Sequence, residues 1–261
     1  MASHSESVLA TIVDERLDYE AGPDMRPWTA VFIVASPRPA TGKTFLARLV
    51  ADFLRKDGGK VEAFELSPGD VALADQLPDL TAQSDLDSTQ AQMRLFDRLI
   101  LPDGVAKVVD VGHASFRRFF GLMEEIGFVD EARRRGMEVI VLYAADAHPI
   151  SVKAYEILQR RLPSLVLVPV FNEGILKGKK LRDQYPFTRA AAVPLQIPLL
   201  PPALKMCVDR WGQSFAEFLR LTPVPIGPEF ELRSWTRRTF LELREFELRL
   251  LMEKVRASLK M

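Results

Sequence analysis

The sequence predicts an α/β fold in which a parallel β-sheet is flanked by helices, three layers in all. Two observations carry this expectation. Short apolar runs alternate with helical patterns at VFIVA (31–35), VEAFEL (61–66), AKVVDVG (106–112), MEVIVLYAAD (137–146), LVLVPVFN (165–172) and AAVPLQIPLL (191–200). Near-continuous apolar strands of this kind are buried on both faces, as parallel strands under helices are. The second observation is VFIVASPRPATGKTFLARLVADFL, Val31 to Leu54, where one such strand runs into a short polar turn, then Gly42-Lys43-Thr44, then an amphipathic helix.

Between the strands, helices are expected at 43–57, 88–101, 115–135, 149–162 and 203–221, with Gly58-Gly59, Gly136 and Pro163 as stops. Residues 1–28 form an N-terminal extension with a possible short helix, closed by the breaker run AGPDMRP. The main domain spans 29–221. After the linker TPVPIGP (222–228), a helix is expected from about Ser234 to Lys260, so that 222–261 form a linker and a C-terminal amphipathic helix. That helix carries Phe240, Leu243, Phe246 and Leu250 on one side and Leu241, Leu248, Met252, Val255 and Leu259 on another. A helix apolar over so much of its circumference needs more than one shallow contact: its own domain, a second copy, or a partner protein.

Composition narrows the function classes. A chain of 261 residues with 48% hydrophobic residues can bury a substantial core. Thirty-five basic residues balance thirty-five acidic ones, so no global field draws the protein to nucleic acid or acidic lipid. A single cysteine, Cys207, excludes an intramolecular disulfide and suits a reducing compartment. No run of eighteen apolar residues and no basic, then apolar, leader pattern occurs, so a cytoplasmic protein without a transmembrane segment is expected.

The strand, turn, GKT and helix are the layout of a phosphate-binding P-loop. Backbone N–H groups of the turn and the first helical turn converge on one point, where the helix dipole adds partial positive charge. The cradle comprises Pro39, Ala40, Thr41, Gly42, Lys43, Thr44 and Phe45, with Lys43 as the point charge for the β- and γ-phosphates and Thr44 as a ligand to Mg²⁺. Against G-x-x-x-x-G-K-[ST], Pro37 replaces the first glycine. The end of the strand AKVVDVG places Asp110 about where P-loop nucleotidases keep the Walker B aspartate that holds Mg²⁺, directly or through water, with Gly112 free to bring a backbone N–H toward the γ-phosphate. His113 is assigned no role.

In order and spacing, these pieces resemble the ParA/MinD (CobQ/CobB-like) group of deviant-Walker P-loop ATPases over roughly residues 29–221. The resemblance implies ATP and Mg²⁺ as ligands and a nucleotide-dependent homodimer. Family members carry x-K-G-G-x-G-K-T, with a signature lysine that reaches the partner's phosphates. Here the loop reads Pro37-Arg38-Pro39-Ala40-Thr41-Gly42-Lys43-Thr44, placing Arg38 at the signature position and replacing both glycines by Pro39 and Ala40. Arg38, Lys43 and Asp110 are the catalytic residues that the resemblance implies. Where the family has a water-positioning aspartate this chain has Ser67, with Asp70 three residues on, so hydrolysis is expected to be slow or absent. Asn172, at the end of VFN, matches the asparagine that contacts the adenine edge, and IPLLPP (197–202) resembles the segment bordering the base. Both favour ATP over GTP.

Basic clusters at Arg117-Arg118, Arg133 to Arg135 and Arg160-Arg161 sit beside acids and read as solvated helix faces. The loop GILKGKKLRD has no acid until Asp183, and could bind DNA phosphates nonspecifically or border the nucleotide, although zero net charge disfavours DNA. The leading expectation is a switch-type ATPase that dimerises on ATP and regulates a partner. The alternatives are a non-hydrolytic assembly protein of the same fold and an ATP-dependent, carboxylate-activating metabolic enzyme resembling dethiobiotin synthetase.

Overall fold

The computed structural model describes residues 29–56, 58–66, 72–181, 184–187, 194–211, 214–215, 217 and 227–258. The N-terminal extension, Ser67 and Asp70, the linker residues 222–226 and Leu259 lie outside the described residues. Seven strands form one sheet: β1 (Ala30–Ala35), β2 (Val61–Leu66), β3 (Thr81–Ser84), β4 (Ala106–Val111), β5 (Glu138–Ala144), β6 (Val166–Asn172) and β7 (Leu195–Ile197). Their order is β3-β2-β4-β1-β5-β6-β7 and every pairing is parallel.

Helices cover both faces: α1 (Lys43–Arg55), α2 (Leu73–Gln76), α3 (Thr89–Leu99), α4 (Phe116–Glu125), α5 (Phe128–Arg134), α6 (Pro149–Arg161), α7 (Glu173–Leu176), α8 (Pro202–Trp211) and α9 (Pro228–Ser258). The two-residue alternation of β1 sorts its side chains between two cores. Phe32 and Val34 join Leu46, Leu49, Val50 and Leu54 of α1 together with residues of α8 and α9. Val31, Ile33 and Ala35 join Phe96, Phe119, Phe128 and Tyr155 on the other face. A strand apolar at every position is therefore apolar on both faces, as the sequence predicts.

Three expectations are corrected. β3 was not foreseen, because TAQS is polar and its middle residues are exposed, so the strand expected third is β4. The single helix expected over 115–135 is two, α4 and α5, separated by Gly127 at φ 61°, a left-handed conformation that glycine adopts without strain. The last strand, expected over 191–200, covers Leu195–Ile197 among the described residues, and 191–193 lie outside them.

The C-terminal helix begins earlier than expected and divides its two stripes. At 31 residues it runs about 46 Å. Leu232, Trp235, Phe240, Leu243 and Phe246 are buried in the same core as α1, with Phe240 packed edge-on against Phe53 at 5.8 Å between ring centres. The Trp235 indole N–H donates to the Pro198 carbonyl at 3.3 Å. The inner stripe therefore belongs to the domain's own core, which continues past Leu221. Leu241, Leu248, Met252 and Val255 remain exposed. No helix among the described residues is long and apolar enough to cross a membrane.

Candidate functional site

All seven strands point their C-terminal ends to one edge, where open parallel sheets bind ligands. β1 lies between β4 and β5, so the loop that follows it is flanked by the ends of both neighbours. The first bond of α1 runs from the Leu46 N–H to the Gly42 carbonyl at 3.0 Å. The Lys43, Thr44 and Phe45 amides precede that bond, and no side chain caps the helix. The Phe45 ring turns away into an aromatic cluster with Phe215 and Trp235, so only its backbone contributes to the cradle.

Gly42 is required twice over. Its φ is +78°, and a Cβ there would meet the Asn172 amide nitrogen at 2.9 Å. Asn172 thus sits against the loop, while its side-chain oxygen accepts from the Gly174 N–H at 3.0 Å and caps α7. Ala40 also has positive φ, 54°, without being glycine. Lys43 is 8% exposed and donates to the Arg38 carbonyl at 2.7 Å. Burial pulls its ammonium below the usual lysine range, against the opposing pull of Asp110 and Asp146.

Asp110 lies beside this group. Alternation along β4 puts it on the α1 face with Val108, and it registers with Val34 of β1 and Glu65 of β2. The Thr44 side chain stands beside its carboxylate and favours the charged form. Burial, at 3% exposure, pushes Asp110 up to about 6; the Thr44 side chain opposes this, the neighbouring Glu65 charge adds to it, and Lys43 opposes it. Asp110 Oδ1 is buried with no hydrogen-bond partner among the described residues. Lys43 and Thr44, Asp110 and Asn172, from three distant parts of the sequence, therefore meet around one loop.

One feature departs from expectation: the Gly112 amide, expected to be free for a γ-phosphate, donates to the Leu66 carbonyl at 2.7 Å. The Arg38 guanidinium pairs with Asp146 of its own chain at 2.8 Å. Sequence reasoning missed Asp146, which follows β5, and Glu65, whose oxygens accept from the Leu73 and Ala74 amides at 2.6 and 3.4 Å. The signal for Asp146 was an acid near the C-terminal end of a buried strand, as Asp110 is, but its nearness to the loop follows only from the strand order.

The basic clusters expected to be solvated faces carry acidic partners, Arg118 with Asp87, Arg134 and Arg135 with Glu131, and Arg161 with Glu124. Lys177, Lys179 and Lys180 are exposed after α7. No known protein family matches this chain, and no curated protein matches it either.

Proposed function

We propose that this chain is an ATP-binding, switch-type P-loop ATPase of the ParA/MinD kind. One observation carries the reading: the Thr44 hydroxyl and the Lys43 ammonium both stand within electrostatic reach of the buried Asp110 carboxylate, under a helix N-terminus that no side chain caps. Helix N-terminal amides, an ammonium, a hydroxyl and a carboxylate at one point suit a polyphosphate chelated to a hard cation. The bare Asp110 Oδ1 fits Mg²⁺, directly or through a bound water, together with Thr44. Mg²⁺, when bound, would neutralise charge on the β- and γ-phosphates.

The residues divide the work. Lys43 would exchange its bond to the Arg38 carbonyl for a phosphate oxygen. The loop amides would orient the phosphates, and Asn172 would border the base. Nothing in this set extracts a proton from water, and the Gly112 amide is already committed, so the reading includes slow turnover, well below the roughly 1–100 s⁻¹ of ordinary phosphotransferases. The same two facts favour the second reading, a non-hydrolytic assembly protein that binds nucleotide as a structural ligand. Nucleotide-dependent homodimerisation and partner binding through the exposed stripe of α9 belong to both readings.

Calorimetry with Mg–ATP tests the nucleotide site. Lys43→Ala removes the mobile cation of the cradle and is expected to abolish measurable binding. Equal affinity in Lys43→Ala and wild type would reject the P-loop reading. Phosphate release separates the two versions: slow turnover supports the switch, and none supports the assembly protein.

A further inference from the structure

Both cations of the loop are already held by acceptors of this chain. Lys43 donates to the Arg38 carbonyl at 2.7 Å, and Arg38 Nη1 donates to Asp146 Oδ2 at 2.8 Å. Asp146 is 6% exposed, and its other oxygen accepts from the His148 amide at 2.8 Å, which fixes the carboxylate at the end of β5. Arg38 keeps 35% of its side chain exposed. The carboxylate is thus anchored on the sheet, whereas its partner belongs to the loop and borders solvent. A guanidinium takes carboxylate and phosphate through the same planar donor fork, so one can replace the other without a new geometry.

We propose that Asp146 is a built-in competitor for the phosphate cradle, which holds Arg38 on its own chain until nucleotide phosphates displace it. The inference rests on the P-loop reading above and names its regulation. Asp146 pulls on Lys43 as well, so an arriving phosphate meets a standing negative charge at the loop. Only after displacement is Arg38 available to bound phosphates or to a second copy. Affinity and pairing are then coupled through one ion pair, and Asp146 is a positioning residue for Arg38.

Asp146→Asn keeps the size and the acceptor for the His148 amide and removes the charge. Calorimetry of the full chain with Mg–ATP should show Asp146→Asn binding about tenfold more tightly than wild type. Arg38→Ala should bind more weakly, and adding Asp146→Asn to it should recover less than about threefold, because no guanidinium is left to release. A merely structural Asp146 would not raise affinity, nor would its effect depend on Arg38. If wild type binds, Lys43→Ala does not, and Asp146→Asn binds no better than wild type, the P-loop reading stands and the competitor is refuted. If wild type shows no binding but Asp146→Asn does, the competitor is supported; if neither binds, both ideas fall. Asp146→Ser, with a hydroxyl acceptor, is the second variant. Failure of both to fold would also overturn the proposal, since a displaceable latch cannot be essential to the fold.

Discussion

Asp110 and Asp52 stand at opposite ends of α1 and look alike by burial. Both are almost fully enclosed, both are pushed up to about 6 chiefly by that burial, and both have an Oδ1 with no hydrogen-bond partner among the described residues. Their surroundings differ in sign. Asp52 Oδ2 accepts from the Phe215 amide at 2.7 Å, and Arg48, whose guanidinium lies 4.8 Å from the Phe215 ring centre, lowers its pKa. Asp110 has Lys43 in its favour but also Glu65 in register beside it, a like charge that makes ionisation harder. Asp52 is a compensated clasp between α1 and the chain after α8. Asp110 is a conflicted charge at the sheet edge. A raised pKa does not by itself distinguish the two; the unresolved like charge does.

The comparison breaks most sharply on Asp110→Asn. The folded pKa lies above the unfolded one, so the neutral form is favoured in the native state. That contribution is fully present below about pH 4 and is lost as pH rises through about 6. A carboxyl raised this far above its ordinary value favours the neutral form by about 3 kcal/mol. Asp110→Asn should therefore match wild type near pH 4 and gain stability toward pH 7, up to about 3 kcal/mol in urea unfolding. It should also lose the Mg²⁺-dependent part of ATP affinity, roughly 10–100-fold, as loss of a metal's supporting groups does. Stability gained where function is lost marks a functional carboxylate. An Asp110→Asn that keeps Mg²⁺-dependent binding would make Asp110 a second clasp.

Asp52→Ala should do the reverse. It leaves the buried Phe215 amide unpaired, a loss of about 1–3 kcal/mol. The deficit should be largest below about pH 4 and shrink toward pH 7, because wild type loses its Asp52 contribution as pH rises through about 6 and the variant has none to lose. ATP affinity should stay within about twofold of wild type if the two carboxylates are independent. A large drop would show that the clasp positions α1 for the cradle.

How much of this was legible in the sequence depended on whether the signal was local. Strand β1 and the GKT turn are written in one short run and Asp110 in the apolar run around it, and the structure places Asp110 beside Thr44. β3 was illegible because an edge strand of four residues, three of them polar, has no apolar period to read. Asp146 was missed because its relation to Arg38 depends on β5 pairing with β1, which no local pattern encodes. The stripes of α9 were visible as two, but which of them meets Phe53 and which meets solvent is decided by packing.

The smallest expected effect separates strain in the loop backbone from the charges around it. Ala40 and Gly42 both have positive φ, 54° and 78°, yet only Gly42 is crowded, against Asn172. Ala40 is exposed, so its penalty is conformational alone, about 1–2 kcal/mol for a residue with a Cβ. Glycine removes that penalty but adds about 0.5–1 kcal/mol of freedom to the unfolded chain. Ala40→Gly should therefore stabilise by about 0.5–1 kcal/mol in urea unfolding, with the same gain at pH 4.5 and pH 7 because no titrating group is touched. Mg–ATP affinity should fall by no more than about threefold, since a looser loop must be ordered on binding. A gain that varied with pH would tie the loop conformation to Asp110 or Asp146, and the strain would then belong to the charged site rather than to the backbone.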